Sequence, residues 1–362
     1  MKIGTLTFHF AYNYGAMLQC FALQRRLLEE GHEVEVIDYR PFEIDKEYRL
    51  YFKDCIKRPR KILSYIKHKD ELNANKKEFD KFLEENIILS NKKYKSGLCT
   101  DQYDICIVGS DQVWNPSITK FDTNYFFEQA KSNKKISYAA SVGLDLNKAE
   151  NKQYAEFIKK EIKNIDYIGV REKQVQDFIK RECGRESWVV LDPVFLLGRK
   201  QWQTLQVKPK DIPSKYILVY SLEENASLNA IARAKANEMG IPLVSIHPLG
   251  SKNSTADINL KNVGPLEFLY AINNAEHFCT NSFHGVAFSL IFKKKFNLVK
   301  HSQLNSRIDN IINIFNPRSI ENSKFNIEGT LEYDASEIDD KLFEDKISES
   351  IRFLYKSMLN KG

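Results

Sequence analysis

The fold is decided by residues 2–39, KIGTLTFHFAYNYGAMLQCFALQRRLLEEGHEVEVIDY. The short apolar run KIGTLTF (2–8) reads as a strand. In GAMLQCFALQRRLLEEG (15–31), Met17, Leu18, Phe21, Leu23, Leu27 and Leu28 recur at helical spacing, and Gly31 supplies the stop. VEVIDY (34–39) is a second strand, so the segment is a βαβ unit, the seed of a parallel sheet covered on both faces.

The same alternation runs outward from this unit. DICIVG (104–109), ISYAASVG (136–143), YIGVRE (167–172) and WVVLDPVF (188–195) read as further strands, with helical patterns near 147–165 and 172–182. A polar, Pro-containing stretch, QVKPKDIPSK (206–215), interrupts the series. A second series follows: YILVYSL (216–222), a helix near 224–239 closed by Gly240, PLVSIH (242–247), a helix near 265–273, EHFCT (276–280), the helix after His284, and KFNLV (295–299). The expectation is an α/β chain of two doubly wound domains facing a central cleft. The first spans 1–205, with a basic helical insertion at about 51–90, and the second spans 206–335. A last helical segment in 336–362 packs back across the domains.

Composition supports this size of fold. The chain has 362 residues, 43% of them hydrophobic and 12% aromatic, enough for two buried cores. A formal charge of +6 is too mild to argue for nucleic acid. Much of it lies in residues 51–82, where ten Lys/Arg face five Asp/Glu. That stretch reads as a solvated, partly helical insertion or as a contact for an anionic lipid or polymer. The six cysteines show no CxxC pair or metal-ligand spacing, so neither a disulfide framework nor a metal site is expected. No signal segment and no run of about 18 apolar residues is visible, which points to a soluble protein of the cytoplasm, with the inner face of the membrane as a further location.

In doubly wound sheets ligands lie beyond the carboxyl ends of the strands, and several of these ends are rich in polar groups. Asn13, Tyr14 and Gly15 follow the first strand, and suit either a tight turn with an N-cap or a cradle for an anion or sugar. In VGSDQVWNP (108–116), Asp111, Gln112, Trp114 and Asn115 suit a carbohydrate, although Trp114 also fits a core and Asn115 a turn. Arg171, at the end of YIGV, is placed to clamp a carboxylate or phosphate. Asp192 before Pro193 reads first as a turn former. His247 ends PLVSI. In CTNSFHGVAFSL (279–290), Ser282 or Asn281 can cap the following helix, which leaves His284 in its first turn free to act on a ligand.

NYGAMLQCFALQRRL (13–27), VGSDQVWNP, YIGVRE, VLDPVFLL (190–197) and TNSFHGVAFSLIF (280–292), in this order and at these separations, resemble the polysaccharide pyruvyl transferase family. The resemblance covers roughly residues 1–300. It implies two Rossmann-like domains similar to those of B-type glycosyltransferases, the first expected as the acceptor side and the second as the donor side, phosphoenolpyruvate as donor, and a sugar or lipid-linked oligosaccharide as acceptor, on which pyruvate is installed as a ketal without a cofactor. It assigns His284 as the general acid and Arg171 to the donor; Asn281, Ser282, Gly285 and Arg307 are the further residues expected on the donor side. Chemistry alone suggests Asp111 as a base and Asn13, Tyr14, Gly15, Gln112, Trp114 and Asn115 as the acceptor side. Many members carry an arginine two residues before the histidine, where this chain has Ser282. Arg307 or Lys300 are candidates to supply the missing charge; otherwise the Ser282–Phe283–His284 form marks a different donor. A nucleotide-sugar glycosyltransferase and a non-catalytic glycan-binding partner are the alternative functions.

Overall fold

The computed structural model describes residues 1–48, 75–132, 134–223, 225–299, 306–320 and 327–359. Its first sheet contains β1 (Lys2–Leu6), β2 (Glu33–Tyr39), β3 (Leu89–Tyr94), β4 (Ile105–Val108), β5 (Lys134–Ala140), β6 (Tyr167–Val170) and β7 (Trp188–Val189). They lie in the order 3-2-1-4-5-6-7, all parallel. The second sheet contains β8 (Ile217–Tyr220), β9 (Leu243–Ile246), β10 (Ile258–Asn259), β11 (His277–Thr280), β12 (Lys295–Val299), β13 (Arg318–Ser319) and β14 (Thr330–Asp334). Its order is 10-9-8-11-12-14-13, parallel through β12 and antiparallel beyond. Both sheets reverse direction beside their first strand, between β1 and β4 and between β8 and β11. Such switch points open a crevice at the carboxyl ends.

The strands form where the apolar runs are shortest and most complete: β4, β8, β9 and β11 are buried at every residue, as parallel strands covered on both faces must be. The helix Tyr14–Glu29 is buried nearly all round over its first half. It packs against the helix Pro265–Asn274 of the second sheet, with Tyr14 stacked on Phe268 at 4.4 Å and donating its hydroxyl to Val263 O. One apolar cluster therefore runs from Met17 and Phe21 to Phe288 and Leu290, across both halves. The C-terminal helix Asp340–Leu359 lies on the first sheet through Phe353, beside Tyr138 and Trp188.

Three features differ from the sequence reading. The strand expected over 188–195 ends at Val189, because the Asp192 carboxylate accepts from Val194 N at 3.0 Å and caps a 3-10 turn over Pro193–Leu196. Residues 49–74 of the basic insertion lie outside the described residues. Its remainder is not a solvated excursion: residues 75–86 form a helix that buries Phe79, Phe82 and Leu83 in the shared core, and β3 joins the first sheet. The polar sequence LSNKKY concealed β3, an edge strand whose outward face needs no apolar residues.

Candidate active site

His284 stands in the first turn of the helix Phe283–Ile291, directly after β11. Ser282 is the N-cap, its Oγ accepting from Gly285 N at 3.4 Å. Gly285 is required locally, because a Cβ there would lie within 3.1 Å of three side-chain atoms of Thr280. The cap and the glycine fix the helix start, so the imidazole projects from a rigid turn towards the first sheet.

Three residues at the carboxyl ends of that sheet meet it. Asp192 Oδ2 lies 3.5 Å from His284 Nε2, 2.5 Å from an Arg171 terminal nitrogen, and accepts from Ser110 Oγ at 3.1 Å. Arg171 also donates to Ser110 Oγ. Ser110 is held in turn by Gln19, whose Oε1 accepts from Ser110 N at 3.1 Å, and by Thr7, whose hydroxyl donates to Ser110 O at 3.0 Å. Burial alone would push the Asp192 carboxyl up, but the Arg171 guanidinium and His284 hold it well below the usual carboxylate range. It is a fixed negative charge, 1% exposed, placed to stabilise an imidazolium.

The cations here are incompletely satisfied. Arg171 Nε and Nη1, Arg307 Nε and His284 Nε2 are buried without hydrogen-bond partners. Arg307, on the helix Ser306–Phe315, lies 3.6 Å from Asp111 Oδ1 across the interface. Arg171 and Arg307 both stand over the Phe283 ring, at 4.7 and 5.7 Å. Burial and the neighbouring Arg171 lower the Arg307 pKa from its ordinary value. Two guanidiniums sharing one ring, with donors unfilled and a histidine alongside, have the chemistry to hold an anion with more than one charged group.

Gly15 completes the contact between the halves. A Cβ at that position would fall on the His284 ring. The absent side chain is what lets the imidazole sit against the N-terminus of the helix Tyr14–Glu29. Asn13 caps that helix, accepting from Ala16 N at 3.2 Å.

The site brings together residues from strings far apart in the sequence, and the family model described as polysaccharide pyruvyl transferase matches residues 13–303. The chain belongs to the polysaccharide pyruvyl transferase family. No protein of curated function matches it by sequence. Among solved structures it is similar to UDP-GlcNAc 2-epimerase of Methanocaldococcus jannaschii, at 15% identity over 98% of this chain and 100% of that one, with a TM-score of 0.47. The corresponding enzyme of Neisseria meningitidis gives 11% identity over 98% and 100% of the two chains and a TM-score of 0.44. An E. coli heptosyltransferase gives 11% identity over 83% and 88%, with a TM-score of 0.35.

In this family member the other expected residues divide sharply. Trp114 is fully buried, stacked on Phe126 at 5.1 Å with its Nε1–H donated to Tyr125 O, so it is a core residue and offers no face to a sugar. Tyr14 is likewise fully buried, in the interdomain cluster. Asn115 is buried and caps a helical turn, accepting from Ser117 N at 3.0 Å. Its amide donates to Gln112 Oε1 at 3.0 Å. Ser282 and Gly285 shape the turn under His284, and Ser282 carries no charge to a ligand. Asn281 accepts from Leu222 N at 3.1 Å through Oδ1, while its Nδ2 is buried and unpartnered. Asp111 has positive φ, 71°, a conformation Asp tolerates. This turns its carboxylate back onto Gln112 N at 2.9 Å and towards Arg307.

Sequence reasoning undervalued Asp192, gave no role to Ser110 at the end of DICIV, and missed the parts played by Gln19 and Phe283. The Asp-Pro turn signal was real but accounted for only one carboxylate oxygen. Lys300 lies outside the described residues. Among the described residues no group of three His, Cys, Asp or Glu is set to hold a metal, and no helix is long and apolar enough to cross a membrane.

Proposed function

We propose that this protein transfers the pyruvyl group of phosphoenolpyruvate to two hydroxyls of a sugar in a polysaccharide precursor, forming a ketal and releasing phosphate. The observation that carries the reading is the unfilled donor set around His284: free N–H groups on Arg171 and Arg307, beside a histidine backed by Asp192. Phosphoenolpyruvate presents a carboxylate and a phosphate, which two guanidiniums can hold together.

His284, as imidazolium, gives its proton to the methylene carbon, which becomes a methyl group. Positive charge develops at C2 and a sugar hydroxyl adds there, its proton passing to a base such as Asp111. Phosphate then leaves with a proton, and the second hydroxyl closes the ketal as it loses its own. Two protons are taken up, by carbon and by phosphate, and two are lost by the hydroxyls. Asp192 opposes the charge on His284 before transfer. Arg307 supplies, from another element, the cation that Ser282 does not. The basic stretch 51–82 suits approach to an anionic membrane surface, where a lipid-linked acceptor would be found.

The test is phosphate release from phosphoenolpyruvate in the presence of pooled lipid-linked oligosaccharide precursors. Acceptor-dependent release is expected, lowered about 10²- to 10⁴-fold in His284→Asn. Consumption of a nucleotide sugar with no phosphate released from phosphoenolpyruvate would replace this reading with glycosyl transfer.

A further inference from the structure

A second pocket, of about 280 Å³, opens at the carboxyl ends of β8 and β9. The register pairs Thr280 of β11 with Tyr220 of β8, and Tyr220 with Ile246 of β9. Three strand ends therefore stand side by side, about 5 Å apart: the end that leads to His284, then the pocket. The Leu222 N–H···Oδ1 Asn281 bond, at 3.1 Å, ties the pocket rim to the loop carrying His284.

Apart from Glu223 and Lys252, the polar side chains lining this pocket are asparagines, serines and a histidine, several of them already oriented. Asn225 spends its Oδ1 on Leu228 N at 2.9 Å, and Asn229 spends its Oδ1 on Asn253 Nδ2 at 2.8 Å. Both amides are thereby turned with an Nδ2 that has no hydrogen-bond partner among the described residues. His247 accepts at Nδ1 from Leu249 N and Ser251 N, at 3.1 and 3.4 Å. Burial lowers its pKa to about 4, so the neutral ring carries its proton on Nε2, which has no partner among the described residues. Ser245, 6% exposed, lines the pocket with a hydroxyl that has no hydrogen-bond partner among the described residues. The charged residues of the lining, Glu223 and Lys252, are each engaged in interactions of their own. The lining contains no arginine, in contrast to the two guanidiniums beside His284.

From this we infer that the pocket seats a neutral sugar residue of the acceptor, next to the residue that receives the pyruvyl group, so that the enzyme reads an oligosaccharide and not a monosaccharide. Fixed N–H donors and free hydroxyls match the oxygens of a polyol. The volume stands near the lower end of small-molecule sites, room for about one ring. With Trp114 in the core, this pocket adds to whatever acceptor contacts Asp111 makes from the first domain. The inference rests on the pyruvyl transfer reading.

The experiment is binding of the full chain to an array of neutral oligosaccharides and their constituent monosaccharides, with phosphoenolpyruvate present, for wild type, Asn225→Asp and Asn229→Ala. Asp retains the helix cap but replaces the free donor with a carboxylate. Wild type is expected to prefer at least one oligosaccharide over its monosaccharides. Both variants are expected to lose about tenfold in that binding, the worth of one hydrogen bond, while stabilisation by phosphoenolpyruvate stays as in wild type. Unchanged oligosaccharide binding in both variants, or no binding of any neutral glycan by wild type, overturns the inference. So does binding of uridine diphosphate that Asn225→Asp abolishes, which would make the pocket an anion site. Failure of phosphoenolpyruvate to stabilise wild type defeats instead the reading on which the inference rests.

Discussion

The molecule contains two His–Asp–Arg groups at the carboxyl ends of its strands, one within the first sheet and one completed by His284 from the second, and they are opposites. In one, His9 Nε2 faces Asp38 Oδ1 at 2.9 Å and His9 Nδ1 faces Thr7 O at 3.2 Å, while Arg40 Nε lies 2.5 Å from the same Asp38 oxygen. The histidine is fully buried and both of its nitrogens are engaged. In the other, His284 is 3.5 Å from Asp192, its Nε2 has no hydrogen bond, and two nitrogens of Arg171 are also unfilled. Residue type and position at a strand end are shared. Satisfaction is not, and a buried polar group left unsatisfied is costly unless something else fills it. The first group fastens the chain between β1 and the helix Tyr14–Glu29; the second leaves its donors unspent.

The contrast can be broken by exchanging roles. His284→Asn should lower turnover by about 10²- to 10⁴-fold with a melting temperature near that of wild type. His9→Ala should instead cost about 3 kcal/mol of stability, the scale for breaking a buried pair, with turnover per folded molecule retained. Denaturant unfolding and steady-state kinetics on both variants check this, and a His9 variant that folds stably but cannot turn over would erase the distinction.

Gly15→Ala sharpens it. Alanine favours the helix by about 0.5–1 kcal/mol, but its Cβ must displace the His284 ring. About 100-fold lower turnover is expected, the scale of a misplacement near 1 Å, without a comparable change in phosphoenolpyruvate affinity. Equal turnover in this variant would mean that His284 does not work from its observed position.

The smallest effect is on acid stability. Against the upward push of burial, His9 and Arg40 hold the Asp38 carboxyl down to about 2. A carboxyl depressed in the folded state contributes stability that is complete above its unfolded pKa, near 4, and is lost as pH falls through the folded value. Unfolding between about pH 4 and pH 2 should therefore show a loss on the order of 2 kcal/mol from this group. That loss should shrink in His9→Ala.

The sequence carried the architecture because parallel strands buried on both faces leave continuous apolar runs, as in ICIV and ILVY. It did not carry β3, whose edge position needs no such run, nor the antiparallel pair β13–β14. His284, Arg171 and Arg307 were legible as charged or titratable residues beside strand ends. Trp114 and Tyr14 were misread for a physical reason: an aromatic at a strand end can face the crevice or the core, and only packing decides. Ser110 and Gln19 escaped because their role lies in hydrogen bonds between segments 91 residues apart in the chain. Asp192 was half legible, since a cap uses one oxygen and leaves the other for Arg171, Ser110 and His284.

The most direct measurement is the melting temperature of wild type and Arg307→Gln with increasing phosphoenolpyruvate, beside a panel of nucleotide sugars. Stabilisation of wild type by phosphoenolpyruvate is expected, reaching about 2.7 kcal/mol at a hundredfold excess over Kd, and largely lost in the variant. Stabilisation by a nucleotide sugar with no response to phosphoenolpyruvate would contradict the account.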